Sequence, residues 1–168
     1  YKKINDNVGI PIVIYNIPSR SVIDMSVETM TKLYELKNII GVKDATGDLK
    51  RVELQKRSMG NEFIQLTGND DNALEFNKLG GVGAIGVTAN IAAKLSSEFQ
   101  KACVEDKDKA VELNKILQPL HEAMFIESNP SPVKYAASLL KMCNSSVRLP
   151  LVEVKNTTKE KISEALKV

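Results

Sequence analysis

Tryptophan is absent from the 168 residues, histidine occurs once, cysteine twice, and the aromatic rings are confined to four Tyr and four Phe. Each scarcity closes a route. His121 has no second histidine with which to share a metal, and Cys103 and Cys143 show no C-x-x-C spacing. Neither a metal site nor a disulfide framework is therefore expected, and two reduced thiols with a helix-borne histidine are the plainer reading. No uninterrupted apolar run approaches the roughly 20 residues that span a bilayer, so we expect no membrane partner. Charge is nearly balanced, with 23 Lys+Arg against 21 Asp+Glu for a net +2, and no basic block is present. A nucleic-acid partner is not expected either. The densest basic cluster, Lys50, Arg51, Lys56 and Arg57, reads as the solvated face of a helix.

What is present is 43% apolar and 26% charged, the proportions of a soluble globular protein. The chain opens on Tyr1, and residues 1–7 lack the apolar core of a secretory signal. We expect a cytoplasmic protein and read the chain as a piece of a longer one. A length of 168 residues allows one domain or part of a larger unit, since barrels of about 250 residues fold as single domains.

Short apolar runs rich in Ile and Val fall at 10–15, 39–42, 63–66 and 82–87, each too short for a helix and each reading as a buried strand. Between them, residues 26–36, 48–59 and 70–79 return an apolar side chain every three or four positions, the mark of amphipathic helices. Ser26, Asp48 and Asp70 stand where a side-chain oxygen accepts otherwise unpaired N–H groups, and Gly60 and Gly80 stand where helices close. Strand and helix alternating in this way predict parallel strands joined by helical crossovers, in four βα units. After Asn90 the strand signals stop, and helices are expected over 91–104, 106–125, 132–142 and 158–166, with Pro119 a kink or local end.

Active-site groups of parallel α/β folds gather at the carboxyl ends of the strands. Lys43 continues the apolar run of the second strand and by alternation points where a core residue would, into a barrel interior. Burial disfavours an ammonium and leaves a neutral amine able to form a Schiff base with a carbonyl. A lysine snorkelling to solvent, or pairing with Asp44, fits the spacing as well. Tyr15, at the equivalent place one strand earlier, is either a proton relay to the imine-forming carbon or an aromatic plug. Glycines at 41, 47, 68, 80, 81, 83 and 86 suit close approach of a small ligand or simple βα turns. Arg20, in the loop after Tyr15, is a carboxylate clamp or a surface arginine. The glycines of 80–86 enter a strand instead of leading from strand to helix, so they are not a dinucleotide loop.

Five segments taken together are more specific. They are residues 15–21 (YNIPSRS), 41–47 (GVKDATG), 68–71 (GNDD), 80–90 (GGVGAIGVTAN) and 129–134 (NPSPVK). In order, and over essentially the whole chain, the pattern resembles the dihydrodipicolinate synthase and N-acetylneuraminate lyase family of pyruvate-dependent class I aldolases. The resemblance implies an α/β fold that is the C-terminal half of a TIM (β/α)8 barrel, with strands five to eight over 1–90. The last barrel helix and a C-terminal helical extension would occupy 91–168. It implies Lys43 as the Schiff-base lysine for pyruvate and Tyr15 as proton relay. Ile85 would touch the pyruvate adduct through its backbone, Gly68 would line the substrate site, and Arg20 would meet the carboxylate of aspartate semialdehyde. No cofactor is implied beyond the covalent lysine–pyruvate imine. The partners implied are pyruvate, aspartate semialdehyde, the missing N-terminal half-barrel and further copies in a homo-oligomer. Two departures are visible: Asn69 stands where the family usually has Asp, and Gly86 where Ser is common. The arginine at position 20 favours aspartate semialdehyde over sugar acceptors such as that of the sialic acid lyases. A half-barrel serving as a non-catalytic assembly partner is the reading from another functional class.

Overall fold

The computed structural model describes residues 1–167. They form two compact units, Tyr1–Gly86 and a second that begins at Val87. In the first, a short helix α1 (Lys2–Asn5) precedes strand β1 (Ile12–Asn16), a single-turn helix α2 (Pro18–Ser21) and helix α3 (Val27–Tyr34). Strand β2 (Ile39–Asp44), helix α4 (Lys50–Met59), strand β3 (Ile64–Thr67) and helix α5 (Ala73–Lys78) follow. The sheet is parallel in the order β1-β2-β3, with Tyr15 opposite Lys43 and Asn16 opposite Asp44. In the second register, Lys43 lies opposite Leu66 and Asp44 opposite Thr67.

Alternation along the strands divides the sheet into two faces. Ile14 and Val42 turn inward to join Met30 of α3, Ile39, Met59 of α4 and Phe63 in one core cluster. Each such buried side chain contributes about 1.5–3 kcal/mol relative to its exposed state. The ring of Tyr34 meets that of Phe63 edge to face at 5.0 Å, an arrangement that ring quadrupoles favour. Val13 and Tyr15 turn to the opposite face and are exposed.

Capping follows the sequence expectation at the starts of α3 and α4. The Ser26 hydroxyl accepts from Thr29 N at 3.2 Å, and Asp48 Oδ1 accepts from Lys50 N at 3.0 Å. Asp70 instead opens a 3₁₀ turn, Asp70–Asn72, ahead of α5. Gly60 closes α4 at φ +83°, where an L side chain is strained.

Three expectations need correction. The run 82–87 forms no strand: only Ala84 bridges to Thr67. Three backbone bonds do hold the segment in parallel along β3, namely Val82 N to Gln65 O at 2.9 Å, Thr67 N to Gly83 O at 3.0 Å and Ile85 N to Thr67 O at 2.9 Å. Glycines at 80, 81, 83 and 86 explain the lost regularity, since glycine weakens a strand and permits bends. Arg51 is 8% exposed, not part of the solvated face with Lys50, Lys56 and Arg57. Pro119, finally, ends nothing: the helix that contains it runs on to Ala123.

The second unit holds a 3₁₀ turn at Thr88–Asn90 and helices α6 (Ala93–Glu105), α7 (Lys107–Ala123), α8 (Ser131–Leu139) and α9 (Asn156–Ala165). Asp106 caps α7 by accepting from Lys109 N at 3.1 Å. Leu113, Leu117, Leu120 and His121 form its buried stripe, at the three- and four-residue spacing of an amphipathic helix. His121 Nδ1 lies 2.7 Å from the hydroxyl of the fully buried Thr88. Cys103 is half-buried and Cys143 exposed, and both are free thiols. No helix among the described residues is long and apolar enough to cross a membrane.

Glu127 ties the start of α9 to the loop after α7. Its carboxyl is held below the ordinary glutamate value of 4.5 by a hydrogen bond with the Thr158 side chain, then by the Lys155 N–H. A folded-state pKa below the unfolded one stabilises the fold above the unfolded value, and that share is lost as pH falls through the folded value. We therefore expect Glu127→Gln to be the less stable protein at neutral pH and to converge on the parent in acid. Urea midpoints measured across that range check it; parallel curves at every pH would contradict it.

Candidate active site

The carboxyl ends of β1 and β2 bring two of the residues singled out in the sequence into contact. Tyr15 and Lys43 are register partners, so alternation sends both side chains to the same face, away from the core. Lys43 is half-buried, and its Nζ stands 3.9 Å from the centroid of the Tyr15 ring. Lys43 does not pair with Asp44, which alternation turns to the other face. There Asp44 Oδ2 accepts from Arg51 Nε at 3.0 Å, while Oδ1 accepts from Thr46 N at 2.8 Å and Thr46 Oγ1 at 2.6 Å.

Gly68, just past β3, completes this corner. A Cβ built there would lie 2.7 Å from Ala45 Cβ and 3.2 Å from Lys43 Cε, so the missing side chain is the space through which the lysine stem passes. Gly68 N also donates to Asp44 O at 2.7 Å, which locks the β3 loop to the end of β2. These three residues, Lys43, Tyr15 and Gly68, are joined by direct neighbourhood.

Ile85 and Arg20 stand on flanking loops. Ile85 N donates to Thr67 O at 2.9 Å, fixing its backbone beside the end of β3 with its side chain exposed. Arg20 is exposed on α2, the turn that follows β1. The residue that closes that turn is Val22, at φ +63° and 91% exposed. A β-branched residue in the left-handed region is a genuine outlier, and such strain concentrates at functional loops. Nothing in the sequence pattern marked Val22, because valine carries no turn signal.

One of the two departures seen in the sequence, Gly86, has a steric counterpart in the structure. A Cβ on Gly86 would fall 1.6 Å from Asp70 Oδ1, and Asp70 is buried. The Asp70 carboxylate thus takes up the room that a side chain at position 86 would need.

The fold and this corner define a class before they define a family: an α/β protein with a parallel sheet, helices consistent with a partial (β/α) barrel, and an amine–phenol pair at the strand ends. The family model described as "Dihydrodipicolinate synthetase family" matches residues 1–168, and the chain belongs to that family. It is 68% identical to a 4-hydroxy-tetrahydrodipicolinate synthase of Pelagibacter ubique, over 99% of this chain and 58% of that protein. Among solved structures it resembles the chloride-inhibited dihydrodipicolinate synthase of Acinetobacter baumannii complexed with pyruvate. The TM-score is 0.94 at 38% identity, covering 99% of this chain and 57% of that one. It also resembles the 4-hydroxy-tetrahydrodipicolinate synthase of Methylacidiphilum fumariolicum, with TM-score 0.95 at 34% identity over 99% and 56% of the two chains. The chain therefore spans somewhat more than half the length of the relatives it matches.

Proposed function

We propose that this chain carries the Schiff-base half of a pyruvate-condensing synthase that joins pyruvate to L-aspartate 4-semialdehyde to give 4-hydroxy-tetrahydrodipicolinate. The observation that carries the reading is the Lys43 amine held 3.9 Å over the Tyr15 ring at strand ends, in a family whose named relatives are such synthases and whose Acinetobacter baumannii member is seen with pyruvate.

In this reading the Lys43 amine attacks the keto carbon of pyruvate and water leaves, giving an imine. Loss of a methyl proton turns the imine into an enamine, whose carbon attacks the aldehyde of the second substrate. The amino group of that substrate then displaces Lys43 as the ring closes. Tyr15 moves protons at the carbinolamine and imine stages, as a phenol beside an amine can. Gly68 leaves room for the lysine stem and the adduct, the Ile85 backbone meets the adduct, and Arg20 pairs with the carboxylate of the semialdehyde in the two-bond geometry guanidinium favours. An arginine there suits a charged amino acid semialdehyde better than a neutral sugar, and this separates the reading from a sialic acid lyase.

The segment 1–90 is, on this view, strands five to eight of a (β/α)8 barrel, with the irregular run 82–87 alongside β3 in the eighth position, and 91–168 is the last barrel helix with a C-terminal helical extension. Exposed Val13, Tyr15 and Ile85 and the unpaired outer side of β1 are then the surfaces that the rest of the barrel covers, since open sheet edges and apolar faces invite pairing. The complete protein would work in the cytoplasm as a homo-oligomer.

The decisive experiment uses this chain joined in register to the parts of its Pelagibacter ubique relative that it does not span. Pyruvate with borohydride is expected to add one covalent label, located by mass spectrometry on Lys43. A protein that remains unlabelled, or is labelled elsewhere, refutes the reading.

A further inference from the structure

Arg51 is the residue whose environment departs furthest from its sequence context. In a helix segment rich in Lys and Arg it is 8% exposed, and its guanidinium meets acceptors from two separate segments. Nε donates to Asp44 Oδ2 at 3.0 Å and one terminal nitrogen to Asp24 Oδ2 at 3.1 Å. The other terminal nitrogen donates to the carbonyl of Met25.

Those partners lead straight back to the site. Asp44 directly follows Lys43 on β2. Asn16 directly follows Tyr15 on β1, is 1% exposed, and is wired to the same loop: its Nδ2 donates to Asp24 Oδ1 at 2.8 Å and its Oδ1 accepts from Met25 N at 3.2 Å. Asn16 O in turn accepts from Ala45 N at 2.9 Å. Because side chains alternate, Asp44 and Asn16 lie on the helix-covered side of the sheet, opposite the face that presents Lys43 and Tyr15. One guanidinium therefore reaches, directly or through Asp24 and Met25, the residues immediately after both reacting groups. It also ties down the loop that leads on from Arg20 and Val22.

We propose that Arg51 is a positioning residue for the Lys43–Tyr15 pair: its planar fork sets the spacing of the β1 and β2 ends, and with it the distance between amine and phenol. A lysine cannot replace it, because an ammonium is a point charge on a flexible stem, whereas guanidinium presents five donors in a fixed plane. Misplacement of a reacting group by about 1 Å can cost on the order of a hundredfold in rate, so a clamp on the residues next in sequence acts on chemistry without touching substrate. The inference rests on the Schiff-base reading of Lys43.

The test uses the same joined protein, with borohydride trapping of pyruvate followed by mass. Arg51→Ala is expected to slow trapping at Lys43 by about 10- to 100-fold while the pyruvate concentration giving half-maximal rate stays within about threefold. Millimolar guanidinium should restore part of the rate where sodium chloride of equal ionic strength does not. Should Arg51→Ala fail to fold, Arg51→Lys and Asp24→Asn carry the same expectation of slowed trapping with circular dichroism unchanged; Asp24 is about half exposed, so its amide variant spares the core. No label in the parent overturns the Schiff-base reading and this inference with it. A labelled parent whose variants lose thermal stability but trap pyruvate at the parent rate overturns the inference alone and leaves Arg51 a structural residue.

Discussion

Lys43→Arg keeps a cation at the end of β2 and is expected to stop the condensation. In the joined protein, turnover with pyruvate and aspartate semialdehyde should fall roughly a thousandfold or more, equivalent to about 4 kcal/mol of lost transition-state stabilisation, and the borohydride label should vanish. Guanidinium is the informative substitute because it remains protonated under all ordinary conditions and offers no free electron pair. Its plane can also lie over the Tyr15 ring, where Lys43 Nζ stands 3.9 Å from the centroid, since such ring faces attract either cation. Charge and stacking are retained and only the nucleophile is removed. A variant with even a tenth of the parent turnover would show that the reaction does not pass through an imine at this residue.

The residues proposed to face the substrate were the legible part of the site. Lys43 and Tyr15 each end an apolar run, and period-two alternation predicts a shared face. The register pair Tyr15–Lys43 is reached past an irregularity between Ile12 and Val13. Strands expected at 10–15, 39–42 and 63–66 lie at Ile12–Asn16, Ile39–Asp44 and Ile64–Thr67, displaced by a residue or two because polar strand ends such as Asn16 and Asp44 look like loop in a hydropathy pattern. That same bias hid the support beneath the site. Asn16, Asp44 and Arg51 are polar, and polar residues are normally assigned to solvent. Only their mutual hydrogen bonds, between elements far apart in sequence, let them be buried. The run 82–87 misled in the opposite sense: its Val and Ile read as strand, while its glycines decide the local geometry.

Gly41 is the glycine on which the sheet itself depends, and Gly41→Ala is expected to destabilise the chain by about 3 kcal/mol or more, the range of severe overpacking. A Cβ there would stand 2.2 Å from the carbonyl oxygen of Ile64 and 2.6 Å from Ile64 Cβ, against an ordinary contact of 3.4 Å or more. The first of these is backbone, held in register with Gly41 as its strand partner, so no side-chain rotation can relieve the clash. Relief requires β2 and β3 to part by about 1 Å, which weakens the bonds between them and disturbs the Lys43–Leu66 and Asp44–Thr67 pairs further along the same ladder. Gly9→Ala is the matched control, since nothing lies within 4 Å of a Cβ there; it should shift stability by no more than about 0.5 kcal/mol. Urea unfolding of both variants against the parent decides the matter. The joined protein supplies a second readout: because the strand carrying Lys43 is displaced, Gly41→Ala should also slow trapping of pyruvate in whatever fraction still folds. A Gly41→Ala protein as stable as the Gly9 control would mean that β2 and β3 are not packed at this closest approach.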